Sequence, residues 1–321
     1  MNSMNGGRPG RPKIGLALGA GVARGWSHIG VIQTLIEEGI EPDVVSGTSV
    51  GALVGGCYAA GRLDALEEFA LSLTRTKIFR LLDLSWGKAG LISGDRLRDL
   101  LDEALGETRI EDTQKPFTCI GTELLTGHEI WLRKGRLSKA IRASYALPGI
   151  FSPIYMKELW LIDGAVVNPI PVSACRAMGA RMVIAVNLNS DAFGGTVIQT
   201  PEIADVNKAI MPLKSEQEPQ KPQRSVLRQM FGRASNEPGL TTVLMAAFNI
   251  SQDRLARSRL AGDPADITIS PPANDVGLFD FDKAQVAIEA GREAAAKIVP
   301  DIKRAIGWLD AAAHATPPPS S

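Results

Sequence analysis

A chain that alternates short β-branched runs with amphipathic helices, and joins them through glycine-rich turns, has few folds open to it. From Lys13 onward this chain does so. IGLAL, from Ile14 to Leu18, is an apolar run of strand length; after a glycine-rich turn, Ile29, Ile32, Leu35 and Ile36 recur at helical spacing until Gly39. PDVVSG is the second run, and Val50, Leu53, Val54, Cys57 and Tyr58 mark one buried stripe of a second helix. The alternation predicts an α/β fold with a mostly parallel central sheet covered by helices on both faces. Further strands are expected at FTCIG near Phe117, EIWLR near Ile130, ELWLID near Leu161, RMVIAVNL near Ile184 and DITIS near Ile267, with a hairpin around Thr126, Gly127 and His128.

One core serves up to roughly 250 to 300 residues, so 321 residues predict one large domain with ragged ends. The expected division is a flexible terminus over 1–12, one domain over 13–310 and a disordered tail over 311–321. Within the domain, 190–240 carries Pro201, Pro212, Pro219, Pro222 and Pro238 among charged and amide side chains. Such a stretch buries too little apolar surface to order itself, so it reads as a mobile insertion. Helices are expected from about Thr241 to Leu260 and from Phe281 to Leu309.

Thirty-five basic and 35 acidic residues cancel, which removes the bulk electrostatic case for nucleic acid. Cys57, Cys119 and Cys175 are too few and too far apart for a disulfide framework or a zinc site, so no metal is expected and a reducing compartment, the cytoplasm, is. Arg24 and several glycines interrupt the apolar stretch after the N-terminus, unlike a signal peptide. The longest apolar stretch, from Val50 to Gly61, is too short to span a bilayer. Any membrane contact is therefore expected to be peripheral, at the inner face.

Gly47, Thr48, Ser49, Val50 and Gly51 form GxSxG between an expected strand and an expected helix. A strand that turns abruptly into a helix holds the central serine exposed and strained, with the flanking glycines avoiding clashes. The Val50 amide would then point at an oxyanion beside Ser49. The alternative is a glycine-lined turn with an incidental serine. For a base, His28 lies in the first helix, His128 at a hairpin tip and His314 in the tail; His28 reads as a helix residue bonded to nearby backbone, and all three are expected to tolerate Gln or Ala. Asp163, at the end of an apolar run and followed by Gly164, is a better partner, since half-sheltered carboxyls gain basicity. Asp-Gly is also a common tight turn.

Gly19, Ala20, Gly21, Val22, Ala23, Arg24 and Gly25 follow the first strand directly. Small residues in succession let backbone amides face a cavity and hold negative charge. A dinucleotide site uses the same physics, but the spacing is GxGxxRG and the acid expected after the second strand is missing.

GxGxxRG, GTSVG and DGA in this order, with RASYALPGIFSPI between the last two, resemble the patatin-like phospholipases, in particular the bacterial branch akin to neuropathy target esterase. The resemblance runs from about Ile14 to Leu188 and, more weakly, through SRLAGDPADITISP. It implies a three-layer sandwich and a Ser-Asp dyad, and hydrolysis of phospholipid or lysophospholipid acyl esters through an acyl-enzyme without cofactor. By position Ser49 is the nucleophile and Asp163 the base, with Gly19, Gly21, Val22, Ala23, Arg24, Gly25 and Val50 forming the oxyanion hole and Gly47, Gly51 and Gly164 supporting the motifs. Arg24 departs from the plant members.

Three rivals stay open: thioester hydrolysis or acyl transfer by the same dyad, a dinucleotide-binding module, and a non-catalytic regulator on this fold. Lipid is the expected partner, nucleic acid is not, and a homodimer is left open. KIFRLLDLSW, at 77–86, offers Ile78, Leu81 and Leu82 either to the core or, with Phe79 and Trp86, to a lipid surface.

Overall fold

In the computed structural model, residues 12–81, 90–189, 240–272 and 275–314 are described. They fall into two compact units. The first unit holds every described strand. Of the second only residues 240–251 are described, and they are helical. Residues 190–239 of the expected insertion, and Leu82 and Trp86, lie outside the described residues; Leu240 already begins a helix.

The first unit begins with β1 (Ile14–Leu18), α1 (Ser27–Glu37), β2 (Val44–Thr48), α2 (Val50–Ala59), α3 (Leu63–Leu71) and α4 (Arg75–Leu81). Next come β3 (Gly90–Ile92), α5 (Asp95–Leu105), β4 (Phe117–Glu123), β5 (Glu129–Leu132), α6 (Leu137–Ser144), β6 (Gly149–Phe151), β7 (Ile154–Met156) and β8 (Leu159–Asp163). α7 (Val172–Ala177) and β9 (Met182–Val186) follow. After α8 (Leu240–Gly262), which starts in the second unit, the chain adds β10 (Ile267–Ile269) and α9 (Ala284–His314).

The central sheet runs β10-β9-β1-β2-β4-β8-β7, with β5 also on β4. From β10 to β4 neighbouring strands are parallel; β5, β8 and β7 join antiparallel. The foreseen strands all form. Not foreseen were β7 and the parallel pair β3 and β6, whose three-residue runs carry no measurable period. α9 runs on to His314 instead of closing at Leu309.

Alternation along β1 divides the core between two faces. Ile14, Leu16 and Leu18 join Ile29, Ile32 and Leu35 of α1, Val54 and Tyr58 of α2 and Ile288 and Ile302 of α9. Ala17, with Val183 and Ala185 of β9, meets Val172 and Cys175 of α7 and Ala256 of α8. Helices thus cover both faces, as expected. α1 and α9 cross at backbone contact: a Cβ on Gly30 would stand 2.0 Å from the Ile288 carbonyl oxygen, and one on Gly291 2.0 Å from that of Ser27. The foreseen hairpin joins β4 to β5; Gly127 turns with φ 71°, and the Glu123 carboxylate accepts the amides of Leu125 and Thr126.

Candidate active site

Ser49 occupies the single residue between β2 and α2, with φ 57° and ψ −121°. A non-glycine residue there carries roughly 1 to 3 kcal/mol of backbone strain. The sharp turn brings α2 directly onto β1: a Cβ on Gly51 would lie 2.2 Å from the Leu18 carbonyl oxygen and 2.7 Å from that of Gly19. Only glycine permits this approach. Gly47 ends up under the same helix, against the backbone of Gly51. The Ser49 amide donates to Ser144 Oγ at 2.9 Å, and Thr48 Oγ1 donates to the Asn168 carbonyl at 2.8 Å.

Asp163 arrives from the opposite direction. β5 takes one edge of β4, so both β2 and β8 must use the other. There Thr48 pairs with Ile120 and Asp163 with Gly121, on adjacent rungs. β2 is parallel to β4 and β8 antiparallel, so their C-terminal ends meet head to head. Ser49 Oγ donates to Asp163 Oδ2 at 2.7 Å. Asp163 Oδ1 accepts the Ala165 amide at 2.8 Å, in the short 3-10 turn that Gly164 begins. The Asp163 backbone is held by Ala146, whose carbonyl takes its N–H, and by Thr122, whose hydroxyl donates to its carbonyl.

Asp163 is 1% exposed. Burial pushes its pKa up to about 7, while the Ala165 amide and the Ser49 hydroxyl pull in the other direction. A carboxylate with that affinity can take a proton from a hydroxyl and return it near neutral pH. Ser49 is 8% exposed.

The glycine loop lies beside the elbow, with Gly25 packed against the Val50 side chain. Several of its amides are already donated: Gly19 to the Val186 carbonyl, Ala20 to Pro169, Ala23 to Leu278 and Arg24 to Gly21. The amides of Gly21 and Val22 find no acceptor among the described residues. Val22 itself has φ 53°. The Val50 amide, in the first turn of α2, is one of the N–H groups a helix leaves unpaired. Arg24 is half-buried, and its Nε donates to the Val276 carbonyl at 3.1 Å. Burial lowers its pKa from the usual guanidinium value.

His128 stands in the exposed β4–β5 turn and His314 ends α9. His28 is buried and bonded to backbone, as the sequence suggested. Ser144, Ala146 and Asn168 were not singled out. They belong to the site through backbone bonds made across the fold, and only the resemblance of RASYALPGIFSPI hinted at the first two. Among the described residues no group of three or more His, Cys, Asp or Glu could hold a metal ion. No described helix is long and apolar enough to cross a membrane.

The model of the patatin-like phospholipase family matches residues 16–176, the stretch that contains Ser49, Asp163 and the glycine loop. An uncharacterized NTE family protein of Mycobacterium tuberculosis is 34% identical, over 88% of this chain and 89% of that one. A second from the same organism is 29% identical, over 91% of this chain and 48% of its own length. The lysophospholipase NTE1 of Saccharomyces cerevisiae is 29% identical over 87% of this chain, which spans 16% of the yeast protein.

Proposed function

Because the chain belongs to the patatin-like phospholipase family, we propose that it hydrolyses fatty-acyl esters of phospholipids or lysophospholipids through a Ser49–Asp163 dyad. Ser49 Oγ attacks the ester carbonyl and passes its proton to Asp163 Oδ2. The oxyanion is held by the amides of Gly21, Val22 and Val50. Collapse expels the lyso-product or glycerophospho-alcohol, which takes the proton back from Asp163, and leaves the acyl chain on Ser49. Water deprotonated by Asp163 then attacks the acyl-enzyme, and the fatty acid leaves as Ser49 recovers its proton.

The observation that carries this reading is the 2.7 Å hydrogen bond between a strained elbow serine and a buried carboxyl whose pKa stands near 7. The yeast relative's name supports a lysophospholipid as one substrate. The three free, buried cysteines support a reducing compartment, and with a lipid substrate the reading includes peripheral contact at the inner membrane face. The test is labelling by a fluorophosphonate, followed by mass spectrometry of the products from mixed phospholipids, lysophospholipids and acyl-CoA. Expected are a single adduct on Ser49 and free fatty acid from the glycerolipids. Turnover of acyl-CoA alone would favour the thioester or acyl-transfer chemistry, and no adduct would favour a non-catalytic role.

A further inference from the structure

His28 is fully buried, and its Nε2 lies 2.8 Å from the Gly19 carbonyl oxygen. A carbonyl only accepts, so Nε2 carries the proton and Nδ1 is left with a bare lone pair. That Nδ1 is buried and has no partner among the described residues. An apolar side chain of similar size would avoid this cost, so core packing alone does not explain a histidine here. What the ring supplies is one donated hydrogen bond.

The recipient matters. The peptide joining Gly19 to Ala20 is a rigid plane. His28 holds its carbonyl, and the Pro169 carbonyl accepts its N–H at 2.9 Å. The next two peptide planes carry the amides of Gly21 and Val22, the pair without acceptors. The Gly19 oxygen also lies under Gly51, beside the start of α2. We propose that His28 is a positioning residue: by fixing the Gly19–Ala20 plane it aims the Gly21 and Val22 amides at the oxyanion formed beside Ser49. Burial lowers the imidazole pKa to about 4, so the ring stays neutral, with the donor in place, across the neutral range.

The inference rests on the hydrolase reading, and it reverses the expectation that alanine is tolerated at position 28. It is tested with a soluble short-chain ester and a fluorophosphonate, on wild type, Ser49→Ala, His28→Leu and His28→Gln. Leucine removes the donor; glutamine offers an amide N–H near the place of Nε2. In His28→Leu, kcat is expected to fall about a hundredfold, with KM within about threefold, because oxyanion contacts act in the transition state. The rate of phosphonylation should fall in parallel. His28→Gln should recover turnover to within about tenfold of wild type. If leucine prevents folding, His28→Met serves instead. An apolar variant with wild-type turnover overturns the inference, as does a glutamine variant no faster than the apolar one. Wild-type turnover that does not depend on Ser49 overturns the hydrolase reading, and the inference with it.

Discussion

At the scale of single residues, the site turns on one carboxyl taken out of water. Burial sets the Asp163 pKa at about 7, and two consequences follow with opposite signs for activity and stability. In the proposed mechanism activity needs the carboxylate, so kcat/KM should rise with pH along an acid limb centred near 7. In Ser49→Ala and Asp163→Asn turnover should fall by similar factors, with the double variant little worse than either, because the two act as a unit; steady-state kinetics checks this. Stability runs the other way. The folded pKa lies above the 3.8 of an unstructured aspartate, so between those values the folded chain keeps a proton that the unfolded chain has released. Stability therefore falls as pH rises from about 4 to about 7 and stays lower above. Asp163→Asn keeps the acceptor for the Ala165 amide and offers Ser49 Oγ a donated amide N–H in place of the accepted bond, without the buried charge. Thermal unfolding should show the variant more stable than wild type at pH 8, by an amount on the order of a few kcal/mol, and level with it near pH 4.

At the scale of elements, α4 separates two roles that its sequence left together. Ile78 and Leu81 are partly buried and pack against the main core, whereas Phe79 is 56% exposed. Losing a buried aliphatic side chain costs about 1.5 to 3 kcal/mol when burial is complete and less when partial. Ile78→Ser should therefore lower the melting temperature by several degrees, and Phe79→Ser by about a degree or less. If α4 is the lipid-facing element, Phe79→Ser should also weaken sedimentation with phosphatidylcholine–phosphatidylglycerol vesicles and leave hydrolysis of a soluble ester unchanged. Binding to vesicles at wild-type strength would remove α4 from the interface. The other elements at the site work through their ends. α6 supplies Ser144, and the Ala146 carbonyl lies just beyond it, so one short stretch holds the backbones of both Ser49 and Asp163.

At the scale of the whole molecule, the C-terminal helix reaches the chemistry through α1. Gly30 and Gly291 let α1 and α9 touch backbone to backbone, and His28 stands on α1 within that crossing. A methyl group on either glycine has no flexible neighbour to push aside, only main chain. Gly30→Ala and Gly291→Ala should each destabilise the protein by about 1 to 3 kcal/mol or more, and the double variant by less than the sum, since the first separation of the helices makes room for the second. Chemical denaturation of the two singles and the double checks both points. Ester turnover should fall in the same variants below their melting temperatures if the crossing also sets the height of His28 over Gly19.

The amino-acid sequence by itself determined the parts. β-branched runs and 3.6-residue stripes declared strands and helices, because side-chain periodicity is a local property that survives without the fold. GxSxG and GxGxxRG declared their turns, because only glycine fits where backbones touch; Ser49 and Asp163 stood out by residue type and by place at strand ends. The tertiary structure alone decided how the parts meet. That β2 and β8 share one edge of β4, and end on adjacent rungs, is a matter of hydrogen-bond register between distant segments, which no local pattern encodes. The same holds for the amides of the glycine loop. Its sequence shows small residues, but which N–H groups stay free depends on carbonyls at Pro169, Val186 and Leu278. His28 read from sequence as bonded to backbone; only the fold shows that this backbone belongs to the glycine loop packed beside the Ser49 elbow.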